Sequence, residues 1–424
     1  MFFPVFIRAG FVYLLLSAVS TNAEPLTRAS VLQFALNNNP NIMAAHASWQ
    51  AEQARVLQTW ALPPPELELE YEGMPGAFKF GQYEQRTVGF SQQMAFPMTW
   101  WQKRQAAHHQ MRAVHLSVYE TTRLNILRDV FLAYDRVLAD EQILSLTEKH
   151  VQLAKDFLER AKVRFEAGDT PQLDVLRAEV DFVRLQNKLT AVRNAVSGSR
   201  SKVNVLLGRL PDAPLMLADS LVYAPVSFEF DRLSDEALRH RYDFLATAQT
   251  VQSAKAMQSI SKWSLIPDVS FQVARQTTTS PTGLLKSWRT GFVFELPLWA
   301  IFDQRGKISE ATFQYKHATA MQEQVRLRVL QEVDAANRAF QATKQRMRLM
   351  QERIRPTAEK AYIMAQRSYD EGKVSYLDFL EAQRDMIEID IEYIETLFEY
   401  RSAQIQFFHA IGKEPSAWVI GNGQ

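Results

Sequence analysis

The chain repeats itself once, and this constrains its fold more than any other feature. Phe165–Ala178 resembles Tyr369–Ala382, which starts 204 residues later (369 − 165). Gly208 and Gly412, each preceded by an aliphatic residue, match at the same spacing. Repeated segments in the same order indicate one structural unit written twice. We therefore expect two halves with the same succession of helices and strands.

The start of the chain has the pattern of a secretory signal peptide. In residues 1–23, Arg8 is the only charge, an apolar stretch follows it, and small residues precede Glu24. The alternative is a membrane anchor, but about 11 apolar residues fall short of the roughly 20 that a spanning helix needs. Later segments are not apolar enough to span as helices. An exported chain of this kind is periplasmic or crosses a membrane as strands.

Charge and cysteine content exclude several function classes. Without Arg8 the chain has 47 basic (48 − 1) and 47 acidic residues, so no nucleic-acid partner is expected. There is no cysteine, which excludes disulfides, thiol chemistry and a lipidated cysteine anchor. The remaining chain divides into a first repeat over 24–210, a proline-containing linker over 211–233, a second repeat over 234–412 and a tail over 413–424.

Each repeat contains a predicted strand pair, at 66–96 and at 267–297. In Glu66–Glu72 four glutamates alternate with apolar residues, and the other strands alternate in the same way. Apolar side chains outside and polar ones inside are typical of a water-filled membrane barrel. The alternative is a soluble sheet with one wet face. The predicted outward residues are Leu67, Leu69, Tyr71, Val88, Phe90, Met94, Phe96, Val269, Phe271, Val273, Trp288, Phe292, Phe294 and Leu296.

Tryptophans at the strand ends favour the barrel. Tryptophan collects at membrane interfaces because its ring is apolar and its N–H is polar. Four strands cannot close a pore, since small barrels need eight or more. We therefore expect a homotrimer in contact with outer-membrane lipid, in which three chains share twelve strands. The predicted interface residues are Trp60, Trp100, Trp101, Trp263 and Trp299.

Long helices make up the rest of each repeat. Residues 99–167 contain neither proline nor glycine, which predicts about 100 Å of helix at 1.5 Å per residue. Heptad seams run along it, one through Val130 and Val137 and a second through Leu127 and Tyr134, which predicts neighbours on both sides. An ordinary long coiled coil is the alternative. In the second repeat, Pro356 predicts a kink, and Arg401 interrupts the apolar seam near the end.

In this context, residues 26–412 resemble the outer membrane efflux protein (TolC) family. The resemblance lies in Ala35-Leu-Asn-Asn-Asn-Pro40, in Phe165–Leu176 and in Tyr369–Gln383. It implies a trimer with a twelve-stranded barrel in the outer membrane of a Gram-negative bacterium and an α-helical tunnel in the periplasm. It also implies docking on an inner-membrane pump through a periplasmic adaptor (membrane fusion) protein, with no cofactor.

Two further segments resemble the heavy-metal cation (CzcC-like) subgroup. These are Ser91–Pro97 with the following Lys103-Arg104, and Leu296–Ile308. The glycine that the subgroup has before the basic pair is absent here. The resemblance implies export of heavy-metal cations with an RND-type pump. Alternatives are an exit duct for drugs or for type I protein secretion, and a periplasmic structural coiled coil without a pore.

The candidate functional residues lie at the inner end of the helices, and no enzyme motif is present. Gly168 and Gly372 are expected to end long helices and to form the tip turns that contact the adaptor. In the resembled family, acids at the positions of Asp378 and Glu381 line the periplasmic constriction, and the repeat makes Asp174 equivalent to Asp378. The alternative is that these acids stabilise helix N-termini. Arg177 and Arg384 are the predicted partners of Asp174 and Asp378.

Two other sets of residues stay open at this point. His108 and His115 share a helix face, for which a solvated face is favoured over a metal site. The glutamates of the first strand either steer cations through a lumen or only keep a wet face soluble.

Overall fold

The computed structural model describes residues 25–78, 80–168, 170–225, 233–294 and 302–414. The predicted signal peptide and the last ten residues lie outside these ranges. The first half consists of α1 (Arg28–Asn38), α2 (Pro40–Gln58), β1 (Glu66–Glu72), β2 (Gln85–Met94), α3 (Pro97–Val114), a π-helical turn (His115–Glu120), α4 (Thr121–Glu166) and α5 (Gln172–Leu206). The second half consists of α6 (Leu233–His240), α7 (Tyr242–Trp263), β3 (Val269–Ser280), β4 (Gly283–Phe294), α8 (Asp303–Leu349), a π-helical turn (Met350–Ile354), α9 (Arg355–Asp370) and α10 (Tyr376–Ala410).

The two halves have the same order of elements, which confirms the predicted duplication. The boundary between α1 and α2 shows how local sequence sets that order. The Asn39 side chain accepts the backbone N–H of Asn41 at 2.9 Å, and Pro40 occupies the first helical position, where its missing N–H costs nothing. The Asn39 amide also donates to the Leu206 carbonyl at 2.7 Å. The same residue therefore starts α2 and fixes it to the end of α5.

The four strands form one antiparallel sheet in the order β1-β2-β3-β4. Apolar residues lie opposite each other across it: Leu67 faces Phe90 and Phe271 faces Phe292. Because side chains alternate between the faces of a strand, the described members of the predicted apolar set that lie within strands share one face of the sheet. The predicted strand faces are confirmed for these residues. Phe96 lies outside β2, at the N-cap position of α3, and Leu296 lies outside the described residues.

The long helix of the first half is continuous, as predicted. α3, the π-helical turn and α4 run from Pro97 to Glu166 without a break. The turn was not predicted; in it the backbone N–H of Thr121 reaches the Leu116 carbonyl, five residues back. α4 packs between α5 and α10, which confirms neighbours on both sides. Its larger buried apolar residues are Leu124, Ile126, Leu127, Val130, Phe131, Tyr134, Val137, Leu138, Ile143 and Leu158.

The irregularity predicted from Pro356 is a π-helical turn. The turn, Met350–Ile354, ends two residues before the proline, and α9 begins at Arg355. A proline within a helix donates no N–H, and its ring clashes with the carbonyl four residues back. The wider turn accommodates both effects and lets α8 continue into α9.

Arg401 does not leave a gap in the seam of α10. Its side chain is buried, with 5 % of the residue exposed, and its Nε lies 3.6 Å from Asp135 Oδ2 on α4. Arg28 on α1 pairs with the other carboxylate oxygen. Two guanidinium groups thus share one buried carboxylate, which joins α1, α4 and α10.

The described part of the predicted linker packs against the helices. Leu215 and Leu221 are buried in the same core as Val31 on α1 and Phe407 on α10. Leu26 forms a β-bridge with Leu217. None of the helices in the described ranges combines the length and apolar character required to cross a membrane.

Candidate pore lining and periplasmic gate

Both tip turns have the conformation that favours glycine. Gly168 has φ +85° and Gly372 has φ +71°, values that L side chains rarely adopt. In the second turn the backbone N–H of Gly372 donates to the Tyr369 carbonyl and that of Lys373 to the Ser368 carbonyl, at 2.9 and 2.8 Å. The chain reverses there from α9 into α10. The predicted turn positions agree with the structure, whereas their contact with an adaptor remains a prediction.

Asp378 takes part in the cap of α10. Its Oδ2 accepts the backbone N–H of Ser375 at 3.1 Å and the Ser375 hydroxyl at 2.6 Å. The Ser375 Oγ in turn accepts the Asp378 N–H at 3.3 Å. This reciprocal pair is a capping box, which satisfies two backbone donors at the helix start. The helix-stabilising interpretation of Asp378 therefore has direct support, and a role in a gate would come in addition.

Of the two arginines predicted to pair with Asp174 and Asp378, one does so and the other pairs elsewhere. Arg177 lies 3.8 Å from Asp174 in the first turn of α5, as expected. Arg384 does not pair with Asp378, so that prediction is wrong; its guanidinium pairs with Asp181 on α5. Six residues at about 100° each place Arg384 on a different face of α10 from Asp378. The Asp181 pair instead ties α5 to α10.

An acid that the sequence reasoning missed extends the candidate gate. Asp378, Glu381 and Asp385 line one groove between α9 and α10, and Arg353 lines it as well. The spacing of three and then four residues is the signal that could have revealed Asp385, since such positions share a helix face. The groove carries three carboxylates along α10.

The predicted polar face of the sheet carries the strand glutamates. Glu66, Glu68, Glu70 and Glu72 alternate with the apolar residues of β1 and lie on the opposite face. Arg289 on β4 shares this face, with its guanidinium 3.8 Å from the Glu68 carboxylate. Neutral residues such as Gln272 complete the face. The face is therefore acidic, with one guanidinium opposing the four carboxylates.

Tryptophans gather at the helix end of the sheet. The rings of Trp60 and Trp100 are 5.7 Å apart, and the Arg104 guanidinium lies 3.2 Å from the centre of the Trp60 ring. Trp263 stacks on Phe96 at 5.8 Å. Trp101 is exposed, and Trp299 lies outside the described residues. The predicted interface tryptophans that the structure describes lie at this end, as expected, and their contact with lipid remains a prediction.

The structure describes no contact between His108 and His115, the two histidines whose role the sequence left open. His115 packs 4.5 Å from the Trp49 ring and 3.6 Å from Glu120, so it is not part of a solvated face. Burial, aided by Arg112, lowers the pKa of His108. In the portion of the chain that the structure describes, no group of three or more His, Asp or Glu side chains is arranged to hold a metal ion.

A four-stranded amphipathic sheet continued by helices of 46 and 47 residues defines a class of elongated channel proteins. The model of the outer membrane efflux protein family matches residues 31–209 and 233–413. The chain therefore belongs to the outer membrane efflux protein family. A search of curated protein sequences found no significant match.

Solved structures of outer-membrane channels share the fold. CusC, described in terms of transmembrane channel formation, has a TM-score of 0.77 at 16% identity, covering 94% of this chain and 96% of its own. The open MtrE channel of Neisseria gonorrhoeae has 0.76 at 15% identity, covering 91% and 88%. VceC of Vibrio cholerae has 0.74 at 18% identity, covering 91% and 96%.

Family membership and fold together indicate where the protein is located in the cell. It is an outer-membrane efflux channel of the TolC type, with helices that extend into the periplasm. Channels of this family are transport proteins and form part of tripartite efflux assemblies.

Proposed function

We propose that this protein is the exit duct of a tripartite system that exports heavy-metal cations, and that it closes its pore as a homotrimer. The trimer follows from the sheet. β1 and β4 are edge strands with unpaired backbone groups, which are not stable in lipid. Pairing β4 of one chain with β1 of the next satisfies both edges, and three chains supply the twelve strands of a closed barrel.

The charge of the polar sheet face supports cations as the cargo. Four glutamates and one arginine leave a net charge of −3 on the polar face of the described strands of each chain (−4 + 1), or −9 in a trimer. A lumen lined by one sign of charge concentrates ions of the opposite sign. Such a lining favours metal cations over anionic or neutral cargo.

The sequence resemblance to the heavy-metal subgroup supports an RND-type pump as the energy source. Arg104, from the basic pair of that motif, stacks on Trp60 at the base of the sheet. The motif thus lies where the sheet joins the helices. The contact joins α3 to the segment between α2 and β1.

The tip turns are the proposed contact with the periplasmic adaptor. Just after each turn the repeats expose equivalent leucines: Leu173 is 53 % exposed and Leu377 is 48 % exposed. Exposed leucines near Gly168 and Gly372 are suited to packing against the apolar positions of another helical hairpin. Both repeats would then present the same kind of contact, so that a trimer offers six.

Reversal potentials across planar bilayers test the cargo proposal. Trimers, verified by crosslinking, would be measured in a salt gradient as the parent and with Glu66, Glu68, Glu70 and Glu72 all changed to Gln. We expect a cation preference that falls at least threefold in the variant. The control changes four other glutamates to Gln. These are Glu310 and Glu323 on α8, Glu352 in the π-helical turn after α8, and Glu371 in the tip turn. An unselective parent pore would contradict the proposal and favour a general duct for drugs or proteins.

A further inference from the structure

The apolar face of the sheet ends in three cations at the end away from the helices. Arg86 on β2, Arg275 on β3 and Lys286 on β4 lie two residues beyond Val88, Val273 and Trp288, on the same face. In the register, Thr277 on β3 faces both Arg86 and Lys286. The three cations therefore surround one threonine on three adjacent strands.

These cations lack acidic partners on their own face. Among the described residues, no carboxylate forms an ion pair with Arg86, Arg275 or Lys286, and Arg86 Nε is buried without a hydrogen-bond partner. The strand glutamates lie on the opposite face. Glu84, two residues before Arg86, extends over Gly73, with its Cγ 2.4 Å from where a Cβ of residue 73 would be. The cluster is therefore a positive patch.

Aromatic rings mark the level of this patch. The Arg275 guanidinium lies 5.8 Å from the ring of Trp288, which is 70 % exposed, and the Arg86 guanidinium lies 5.8 Å from the Tyr83 ring. Aromatic residues of this kind occupy membrane interfaces. From Phe294 to Lys286 the strand rises about 26 Å, or roughly 20 Å along the membrane normal at the usual tilt. The patch is therefore at the outer interface if the tryptophan end is at the inner one.

We propose that Arg86, Arg275 and Lys286 bind the phosphate groups of the glycolipid that forms the outer leaflet, the phosphorylated glucosamine disaccharide known as lipid A. Guanidinium groups bind phosphate through paired hydrogen bonds. Arg86 and Lys286 are two strand spacings apart, about 10 Å, so that long side chains converge on one headgroup from both sides. The proposal rests on the outer-membrane location and not on the nature of the cargo.

A lipid site in this place has a physical purpose. Unpaired cations beside an apolar face are costly at the midplane of the hydrocarbon and much less so at the interface. Phosphate groups offset that cost by pairing with the cations. The cluster then sets the depth of the sheet in the membrane, and each chain of a trimer binds its own lipid.

Native mass spectrometry of the full-length protein tests this proposal. Protein released from detergent would be titrated with bis-phosphorylated lipid A and with its dephosphorylated form. We expect stoichiometric retention of the phosphorylated lipid, and a loss of at least fivefold in the variant R86Q/R275Q/K286Q. Arg289→Gln, on the opposite face of the same sheet, removes a charge and should retain the lipid.

Several outcomes would overturn the proposal. One is equal retention of the phosphorylated and dephosphorylated lipids, and another is undiminished retention by the triple variant. A third is displacement of the lipid by millimolar inorganic phosphate alone, because this would show that the patch binds anions without specificity. Crosslinking and an unchanged melting temperature would show that the variant is folded. The reversal potential of the same variant separates this proposal from the cargo proposal, since the three residues do not lie on the polar face.

Discussion

At the scale of single residues, the two glycines that end α5 and α10 are more constrained than those at the tips. Gly208 has φ +71°, and a Cβ there would lie 2.5 Å from the Asn38 carbonyl oxygen. At its repeat equivalent, Gly412, an added Cβ would lie 2.8 Å from the His240 backbone. Gly168 also has positive φ but has open space around it. Close backbone approach, and not the turn alone, therefore requires glycine at 208 and 412.

This difference gives a matched pair of variants. Gly168→Ala should cost about 1 kcal/mol, for the left-handed conformation alone. Gly208→Ala should cost more than about 2 kcal/mol, because the backbone of α1 must also move. Apparent melting temperatures of the detergent-solubilised protein measure both. Equal shifts in melting temperature would mean that the α1 backbone at Asn38 moves aside at little cost.

A buried histidine gives the protein a pH dependence. Burial, aided by Arg128 and Arg241 and opposed by Asp243, lowers the pKa of His409 to about 4. Its Nε2 lies 2.9 Å from Asn125 Oδ1, as expected for a neutral ring that donates. The unfolded chain takes up the proton near pH 6.5, so the stabilisation is complete above that pH and is lost as the pH falls toward 4.

The predicted loss reaches about 3 kcal/mol per chain between pH 7 and 4. His409→Gln keeps a donor for Asn125 and should flatten the decline of melting temperature in that window. His240→Gln, at an exposed histidine, is the control and should follow the parent. If His409→Gln declines as steeply as the parent, other groups cause the acid sensitivity.

At the scale of elements, the strand faces give a sharp test. Phe292 shares the apolar face with Phe271, whereas Val293 lies opposite Ser270 on the polar face. Phe292→Arg should destabilise the barrel by about 2–4 kcal/mol if it lies near the midplane, and Val293→Arg by much less. Unfolding from lipid vesicles by denaturant measures the difference. Similar costs would place lipid on both faces or on neither.

The strands and long helices could be predicted because apolar residues recur every two residues in the strands and in a seven-residue pattern in the helices. The capping box at Ser375 and Asp378 also has a local signal, a serine three residues before an acid at the start of an apolar helix. The ion pairs of Arg401 and Arg384 were beyond prediction. Their partners, Asp135 and Asp181, lie more than 200 residues away, and helix rotation decides which of several acids each one meets.

At the scale of the whole molecule, duplication predicted the order of elements, but one chain does not show how three would close. The proposed gate is the clearest example. Asp378, Glu381 and Asp385 line a groove on a single chain, and three copies of α10 would bring nine carboxylates around one axis. Their proximity depends on an assembly that no local pattern encodes.

Divalent block of single-channel current tests the gate. Asp378→Asn with Glu381→Gln removes the charges but keeps an acceptor for Ser375, so the helix cap survives. We expect divalent cations added on the periplasmic side to block the parent and to block this variant at least tenfold less strongly, because carboxylates are the ligands that hard cations prefer. Glu310→Gln with Glu323→Gln on α8 is the control. Unchanged block in the first variant would leave Asp378 as a helix cap only.

The π-helical turn at His115–Glu120 has a consequence for how this protein tolerates change. The turn absorbs an extra residue, so the residues after it are offset by about 100° from the orientation that a uniform helix would give them. α3 contacts α2 and α7, whereas α4 contacts α5 and α10. One continuous helix thus packs against two sets of neighbours with apolar faces that point in different directions. Deleting a single residue within the turn would restore a uniform helix and leave both seams facing their partners, whereas deleting one residue of α4 between Thr121 and Val130 would turn everything after it by about 100°.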